Sequence, residues 1–512
     1  MQGQRPLSQP AAERSRETSG ASPGWSPRRR QEDRLGELED RLAGGNQTID
    51  LEIERAVLLN ALERPLDAKQ AFIDILRKAP ENFSALNEFG TLLFGMGMIA
   101  AACRVYAEAI AHHPDNPVGH VNLANILLRA NKLAEAKEHY EIALRIDPAH
   151  PQAHQGLGAV LSDLGDHVAA RRHFDRGFLH HAVSVLPYRG RQKPLALLRL
   201  VSSGGGNIPA DGFLDDRTFL TTVIVADYFD VSADLPDHQL IFNAIGDADL
   251  CKPALAAAGR LIARSRAPVI NRPSAVLKTS RVDNAKRLRS LPGVVTPRTL
   301  VFDRKRLSGP DGAAAIAKAG LSFPLLVRSP GFHTGRNFVH VADMAEFADE
   351  IAKLPGDDLL LIEYLDARGR DGNARKYRAM IVDGEVFPLH LAISRQWKVH
   401  YFTADMADNP DHRNEEAAYL ADMRSAIGGK AVDALARIAH ELGLDYAGID
   451  FGISTAGGVL LFEANATMVI AQPDADARWD YRRASIRKIL DAVDAMIKSR
   501  AGATVRRRGR DG

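Results

Sequence analysis

A chain of 512 residues with 45% hydrophobic and 25% charged residues is long enough for several buried cores, and two to four domains are expected. Its 66 basic and 64 acidic residues leave a formal charge of +2, which excludes a global field directed at nucleic acid or an anionic membrane. Cys103 and Cys251 are the only cysteines, far apart in sequence, which excludes a disulfide framework and a cysteine zinc site.

Residues 1–46 are polar and rich in Pro, Ser, Arg and Glu. They cannot bury enough apolar surface to offset the entropy of ordering, so a disordered segment is expected. No apolar run approaches the roughly 20 residues of a membrane span, and no signal-peptide core opens the chain. A cytoplasmic location without membrane contact is therefore expected.

Residues 47–185 repeat themselves. Pro80, Pro114 and Pro148 stand 34 residues apart, and the apolar positions keep the same step. Counting from Phe83, Pro117 and Pro151, the eighth position is small in each copy (Gly90, Ala124, Gly158) and the twenty-fourth aromatic (Tyr106, Tyr140, Phe174). Two antiparallel helices per unit follow, with small residues at the crossing and an aromatic wedged against the next unit. A degenerate first unit begins near Ile49. The pattern resembles the tetratricopeptide repeat, in about four copies, which implies an all-α solenoid whose groove binds a protein or peptide. Asn125 and Arg129, four apart on one helix, would face that groove as a carboxylate clamp, or belong to a solvated face. His112, His113, His180 and His181 read as surface or capping residues.

Residues 192–275 carry β-branched runs around one helix, "CKPALAAAGRLIAR", which predicts a small α/β domain with parallel pairing. The glycine triplet at Ser202 to Asn207 is expected to be a flexible connection, since no helix start follows it. Residues 276–498 read as antiparallel hairpins with segregated helices, an α+β arrangement. Asp383-Gly384 is the strongest hairpin turn. A basic disordered tail is expected over residues 499–512.

The last hairpin carries the chemistry. A four-residue turn at Thr455 to Gly458 pairs Ser454 with Val459, and counting outward sets Asp450 opposite Glu463, with Asn465 on the same face. Opposed carboxylates need a compensating cation. Mg²⁺, or Mn²⁺ in its place, suits carboxylate and amide oxygens; the alternative is a polar strand end with Lys or Arg partners, and one slip of register would separate the carboxylates.

Asp450, Glu463 and Asn465, in "GIDFGIS" and "LLFEAN", resemble the metal-binding end of the ATP-grasp superfamily. The resemblance covers about residues 195–495 and implies a pre-ATP-grasp α/β domain followed by an ATP-grasp fold. "FPLLVRSPGFHTGRNFV" is similar to that family's strand, phosphate loop and strand, with Arg328 at a nucleotide-binding position and His333 and Gly335 in the loop. "LLLIEYL" resembles its hinge, where Glu363, Tyr364 and Leu365 would bracket adenine and ribose. Arg378 in "KYRAMIVDGEV" would face the reacting phosphate, and Arg281, ahead of Lys278 or Lys286, would meet the nucleotide. The implied activity is an ATP-dependent carboxylate-amine (or thiol) ligase working through an acyl phosphate, with a loop at about Ser329 to Asn337 excluding water. Arg395, Trp397, Lys398, His400 and Tyr401 would wall the second substrate, or belong to an ordinary loop. The alternatives are a catalytically silent nucleotide-gated scaffold and a kinase of the same fold.

Overall fold

The computed structural model describes residues 27–45, 47–332, 335–399, 401 and 404–508. The chain folds as two compact units: one runs to Leu198 and includes Leu214–His238, and the other comprises Arg199–Phe213 and the residues from Gln239 on.

The first unit is a helical stack: α1 (Pro27–Ala43), α2 (Ile49–Ala61), α3 (Pro65–Lys78), α4 (Phe83–Gly95), α5 (Ile99–His112), α6 (Pro117–Arg129), α7 (Leu133–Ile146), α8 (Pro151–Leu164) and α9 (His167–Gly177). Helices α2 to α9 pair consecutively as four repeats. The first helix of each later repeat starts at a cap in the same phase. Asn82 accepts from the Ala85 amide at 2.9 Å, Asn116 from Val118 at 3.0 Å and His150 from Ala153 at 3.3 Å. The aromatic at the twenty-fourth position fills the space left by glycine. A Cβ on Gly90 would meet the Tyr106 ring at 2.7 Å, and one on Gly158 the Phe174 ring at 2.6 Å. The ring of Tyr140 reaches the following repeat, 2.2 Å from a Cβ on Gly156. Gly156→Ala is therefore expected to destabilise the protein by about 1–3 kcal/mol through overpacking, although alanine is the better helix former. Urea unfolding measures this, and a neutral or stabilising result would contradict the wedge.

Helix α1 corrects the expectation of disorder for residues 1–46. Leu35 and Leu38 are buried, and Arg34 pairs with Glu54 and Arg55 with Glu39 to fasten α1 to α2. The segment is polar on average, but its leucines are spaced for one helix face. The unit also holds β1 (Val183–Val185), the start of β2 (Leu195–Val201) and β3 (Phe219–Val225), with β1 antiparallel to β3.

In the second unit β4 (Leu240–Asn243) and β5 (Val269–Ile270) pair in parallel, with the helix Lys252–Ile262 between them in sequence. Parallel pairing over residues 192–275 is thus met at β4 and β5 only, and that segment is not one separate domain, because β2 begins in one unit and ends in the other. Short β-branched runs signal strands but not their partners. The glycine triplet is a closed turn, not a flexible connection. The Asn207 side chain accepts from the Ser202 amide at 2.7 Å and donates to its carbonyl at 2.8 Å.

Two further sheets build the rest. β7 (Thr299–Asp303), β8 (Leu325–Arg328), β9 (Phe338–Val341) and β10 (Asp358–Glu363) form an antiparallel sheet in the order β7-β10-β8-β9, numbered after β6 (Val294–Val295). β11 (Ala374–Val382), β12 (Glu385–Ser394), β13 (Tyr446–Ile453) and β14 (Val459–Asn465) form the other with β6, in the order β12-β11-β13-β14-β6. Only the β14–β6 pair is parallel among the described strands. This is the mixed antiparallel arrangement expected for the C-terminal half. The Asp383-Gly384 turn is as expected, with positive φ at both residues. In the first sheet the strand period of two sends Leu325, Val327, Leu359 and Leu361 into a core with Phe347 and Ile351. Leu326, Arg328 and Ile362 are left on the opposite face. The helix Arg483–Arg508 runs through most of the expected disordered tail, anchored by buried Ala501 and by Arg500 on Asp445 at 3.0 Å.

Candidate functional site

The second unit contains a cavity of about 240 Å³. One wall is the exposed face of the first sheet, with Leu326, Arg328 and Ile362. The other is the end of the second sheet, with Lys376, Asp450, Leu461, Glu463 and Asn465.

Asp450 does lie opposite Glu463. The route to that pairing differs from the expected count, because Ile453, not Ser454, pairs with Val459 and the turn is one residue longer. A bulge then restores the register: Phe451 faces Leu461, Asp450 faces Glu463, and Phe462 is the additional residue. Its ring lies over Gly452, where a Cβ would come within 3.0 Å.

Cations already face the carboxylates. Arg378, cross-strand from Asp450, donates to it from Nε at 2.5 Å and from its terminal nitrogen at 2.8 Å, and Lys376 Nζ stands 3.3 Å away. Burial opposes the Asp450 charge, but Arg378 and then Lys376 outweigh it and hold the carboxyl well below the usual carboxylate range. Arg281 bridges Asp249 at 2.9 Å and Glu463 at 2.5 Å. Burial raises Asp249, and Arg281 offsets this only in part. The Asn465 side-chain oxygen accepts from the amide and hydroxyl of Thr467, both at 2.9 Å.

Arg328 is different. It is buried, its Nε has no hydrogen-bond partner, and no carboxylate pairs with it among the described residues. Its terminal nitrogen donates to the Phe332 carbonyl. Burial, and next the charge of Arg281, push its pKa down to about 10. Since a guanidinium stays protonated in proteins, the shift expresses an unneutralised buried cation facing the cavity.

Of the residues singled out in the sequence, Arg281, Arg328, Gly335, Glu363, Tyr364, Leu365, Asp450, Glu463 and Asn465 line this cavity. Arg378 does not. It lies behind Asp450, and Lys376, two residues earlier on the same strand face, lines the cavity instead. Alternation along "KYR" was the available signal for Lys376. Asp247 and Asp249, on the loop after β4, also line the cavity and were missed. His333 and His400 lie outside the described residues. Trp397 and Lys398 line the cavity, with Trp397 packing on Phe338 and His340. Tyr401 instead donates to buried Glu416 at 3.3 Å, and exposed Arg395 uses its backbone amide on Asp405.

The clamp expected on the repeats is not formed. Asn125 accepts from the Tyr140 hydroxyl at 2.6 Å, and the Arg129 guanidinium lies over the Phe94 ring at 4.7 Å. The twenty-fourth-position aromatic, pointed at its own repeat, takes the carboxamide. His112 and His113 are surface residues at a helix end, as expected, binding Glu108 and the Glu81 carbonyl.

Two family models described as tetratricopeptide repeat match residues 121–177 and 93–141, well short of half the chain. No curated protein matches the sequence. Solved structures similar to this chain include MamA from Desulfovibrio magneticus RS-1, at 22% identity over 29% of this chain and 86% of that one, with a TM-score of 0.27. Pseudomonas aeruginosa PilF shares 21% identity over 30% of this chain and 78% of its own, with a TM-score of 0.25. The N-terminal region carries tetratricopeptide repeats, which mark it as a protein-interaction scaffold. Among the described residues no helix is long and apolar enough to cross a membrane.

Proposed function

We propose that the second unit is an ATP-grasp ligase domain, joining a carboxylate to an amine or thiol at the expense of ATP, and that the repeats recruit a protein or peptide partner. The observation that carries this reading is Arg328, a buried cation without a carboxylate partner on the cavity wall. A phosphate is the anion that would relieve it. Leu326 and Ile362, cross-strand neighbours, offer apolar surface beside Glu363 for a nucleotide base.

The chemistry is stepwise. A substrate carboxylate oxygen attacks the γ-phosphorus and ADP leaves, giving an acyl phosphate. The amine or thiol then attacks the acyl carbon, phosphate departs, and the nucleophile loses its proton. Arg328 offsets phosphate charge, and Lys376 faces the same space from the other wall. The oxygens of Glu463 and Asn465 fit a hard divalent cation. Asp450 joins them only if Arg378 or Lys376 yields an oxygen. Mg²⁺ bound there would neutralise phosphate charge. That prior pairing of Asp450 is the observation favouring the silent-scaffold alternative.

Lys376→Met is expected to lower kcat for ATP turnover by about 100-fold with little change in stability. Arg378→Met is expected to act mainly on stability, since it strips Asp450 of its main counter-charge. Steady-state kinetics paired with urea unfolding separates the two, and equal effects would contradict the assignment. The reading as a whole is tested by Glu463→Gln combined with Asn465→Ala: Mg-ATP turnover is expected to vanish, and intact turnover overturns the site.

A further inference from the structure

In the third repeat His120 Nδ1 and His139 Nδ1 are 3.0 Å apart, and in the fourth His154 Nδ1 and His173 Nδ1 are 2.9 Å apart. The pairs are the same two repeat positions, since His154 and His173 each follow their counterpart by 34 residues. Each pair ties the two helices of one repeat together, α6 to α7 and α8 to α9. His154 Nε2 donates to the Pro148 carbonyl at 3.0 Å, so its Nδ1 carries the lone pair and accepts from Nδ1–H of His173. His120 makes the corresponding bond to the Pro114 backbone. The second repeat has Leu86 and Val105 at these positions, so its helices close without a titrating group.

We infer that the third and fourth repeats carry a pH-sensitive latch, which opens when an imidazole of either pair takes up a proton. A proton on the accepting Nδ1 would face the proton of its partner, so the hydrogen bond is lost and two nitrogens of like polarity are pressed together. The surroundings do not rescue the charged form. His120 faces Arg145, and His154 and His173 face Arg176. Glu135 and Glu138 beside His139, Asp147 beside His154 and Glu141 beside His173 oppose these arginines only in part. Burial is the largest cause in all four, and each stays below the ordinary histidine value. A histidine depressed in the folded state leaves stability intact above the unfolded value of about 6.5, and stability falls as pH drops through it toward the folded value. His150, which caps α8, titrates in the same direction.

Amide hydrogen exchange on the full chain between pH 7.5 and 5 tests the latch. After correction for intrinsic rates, opening of α6 to α9 is expected to rise about tenfold per pH unit for each proton taken up, while α4 and α5 stay level. Transplanting the second repeat's pair, as H120L with H139V and H154L with H173V, is expected to remove most of that rise, His150 being retained. Should the quadruple variant fold poorly, His139→Asn with His173→Asn keeps a donor that does not titrate and is expected to flatten the profile likewise. Equal acid response in α4 to α5 and α6 to α9, or an unchanged profile in the folded variant, would overturn the latch.

Discussion

Replacing Arg328 with methionine is expected to make the protein more stable and to remove its ATP turnover. The two effects have one cause. Arg328 is a guanidinium buried on the cavity face of β8, without a carboxylate partner among the described residues and with Arg281 near enough to oppose its charge. Such a cation costs folding free energy, and an apolar side chain of similar length should return about 1–3 kcal/mol. If the missing partner is a phosphate, the same substitution should lower kcat/KM for ATP by about 100- to 1000-fold, the usual loss for one preorganised donor. Urea unfolding without nucleotide, alongside ATP turnover, reads both. Loss of stability with unchanged turnover would make Arg328 a structural residue.

The second large effect is expected at Asp450. Asp450→Asn keeps the shape but leaves Arg378 and Lys376 facing each other without a counter-charge, and neutral His390 behind them offers none. Breaking a buried pair in this way costs about 3–5 kcal/mol. The pH dependence carries a further check. A carboxyl whose folded pKa is depressed contributes stability above its unfolded value, and that contribution is lost as pH falls through the folded value. Asp450 is held well below the usual carboxylate range, so the difference between wild type and variant should be constant from pH 8 to 5. Any acid sensitivity in that window belongs to the histidine pairs. A difference that shrinks between pH 7 and 5 would contradict the assignment of charge at Asp450.

The repeats were legible because their physics is periodic. One small residue and one aromatic recur every 34 residues, and the close approach of Gly90 to Tyr106 and of Gly158 to Phe174 is what that recurrence encodes. Helix α1 was not legible from composition, since two buried leucines in a polar segment hardly move an average. At the candidate site the pairing of Asp450 with Glu463 was legible only through two departures that cancel, a longer turn and the bulge at Phe462. Whether a bulge forms depends on packing over Gly452, which no local pattern states. Charge partners were harder still. Arg281 reaches Glu463 across 182 residues and Arg378 reaches Asp450 across 72, distances at which sequence spacing carries no signal. The exchange of Lys376 for Arg378 on the cavity wall follows once Arg378 is committed to Asp450.

The central claim is that the second unit spends ATP to join a carboxylate to a nucleophile. The full chain, incubated with ATP, Mg²⁺ and pools of carboxylates, amines and thiols, tests it by mass spectrometry of the products. The expected result is ADP, phosphate and a conjugate lighter than its parts by one water, absent with the variant carrying Glu463→Gln and Asn465→Ala. A phosphorylated end product without conjugate would make the protein a kinase, and ATP left unchanged across the pools would contradict the account.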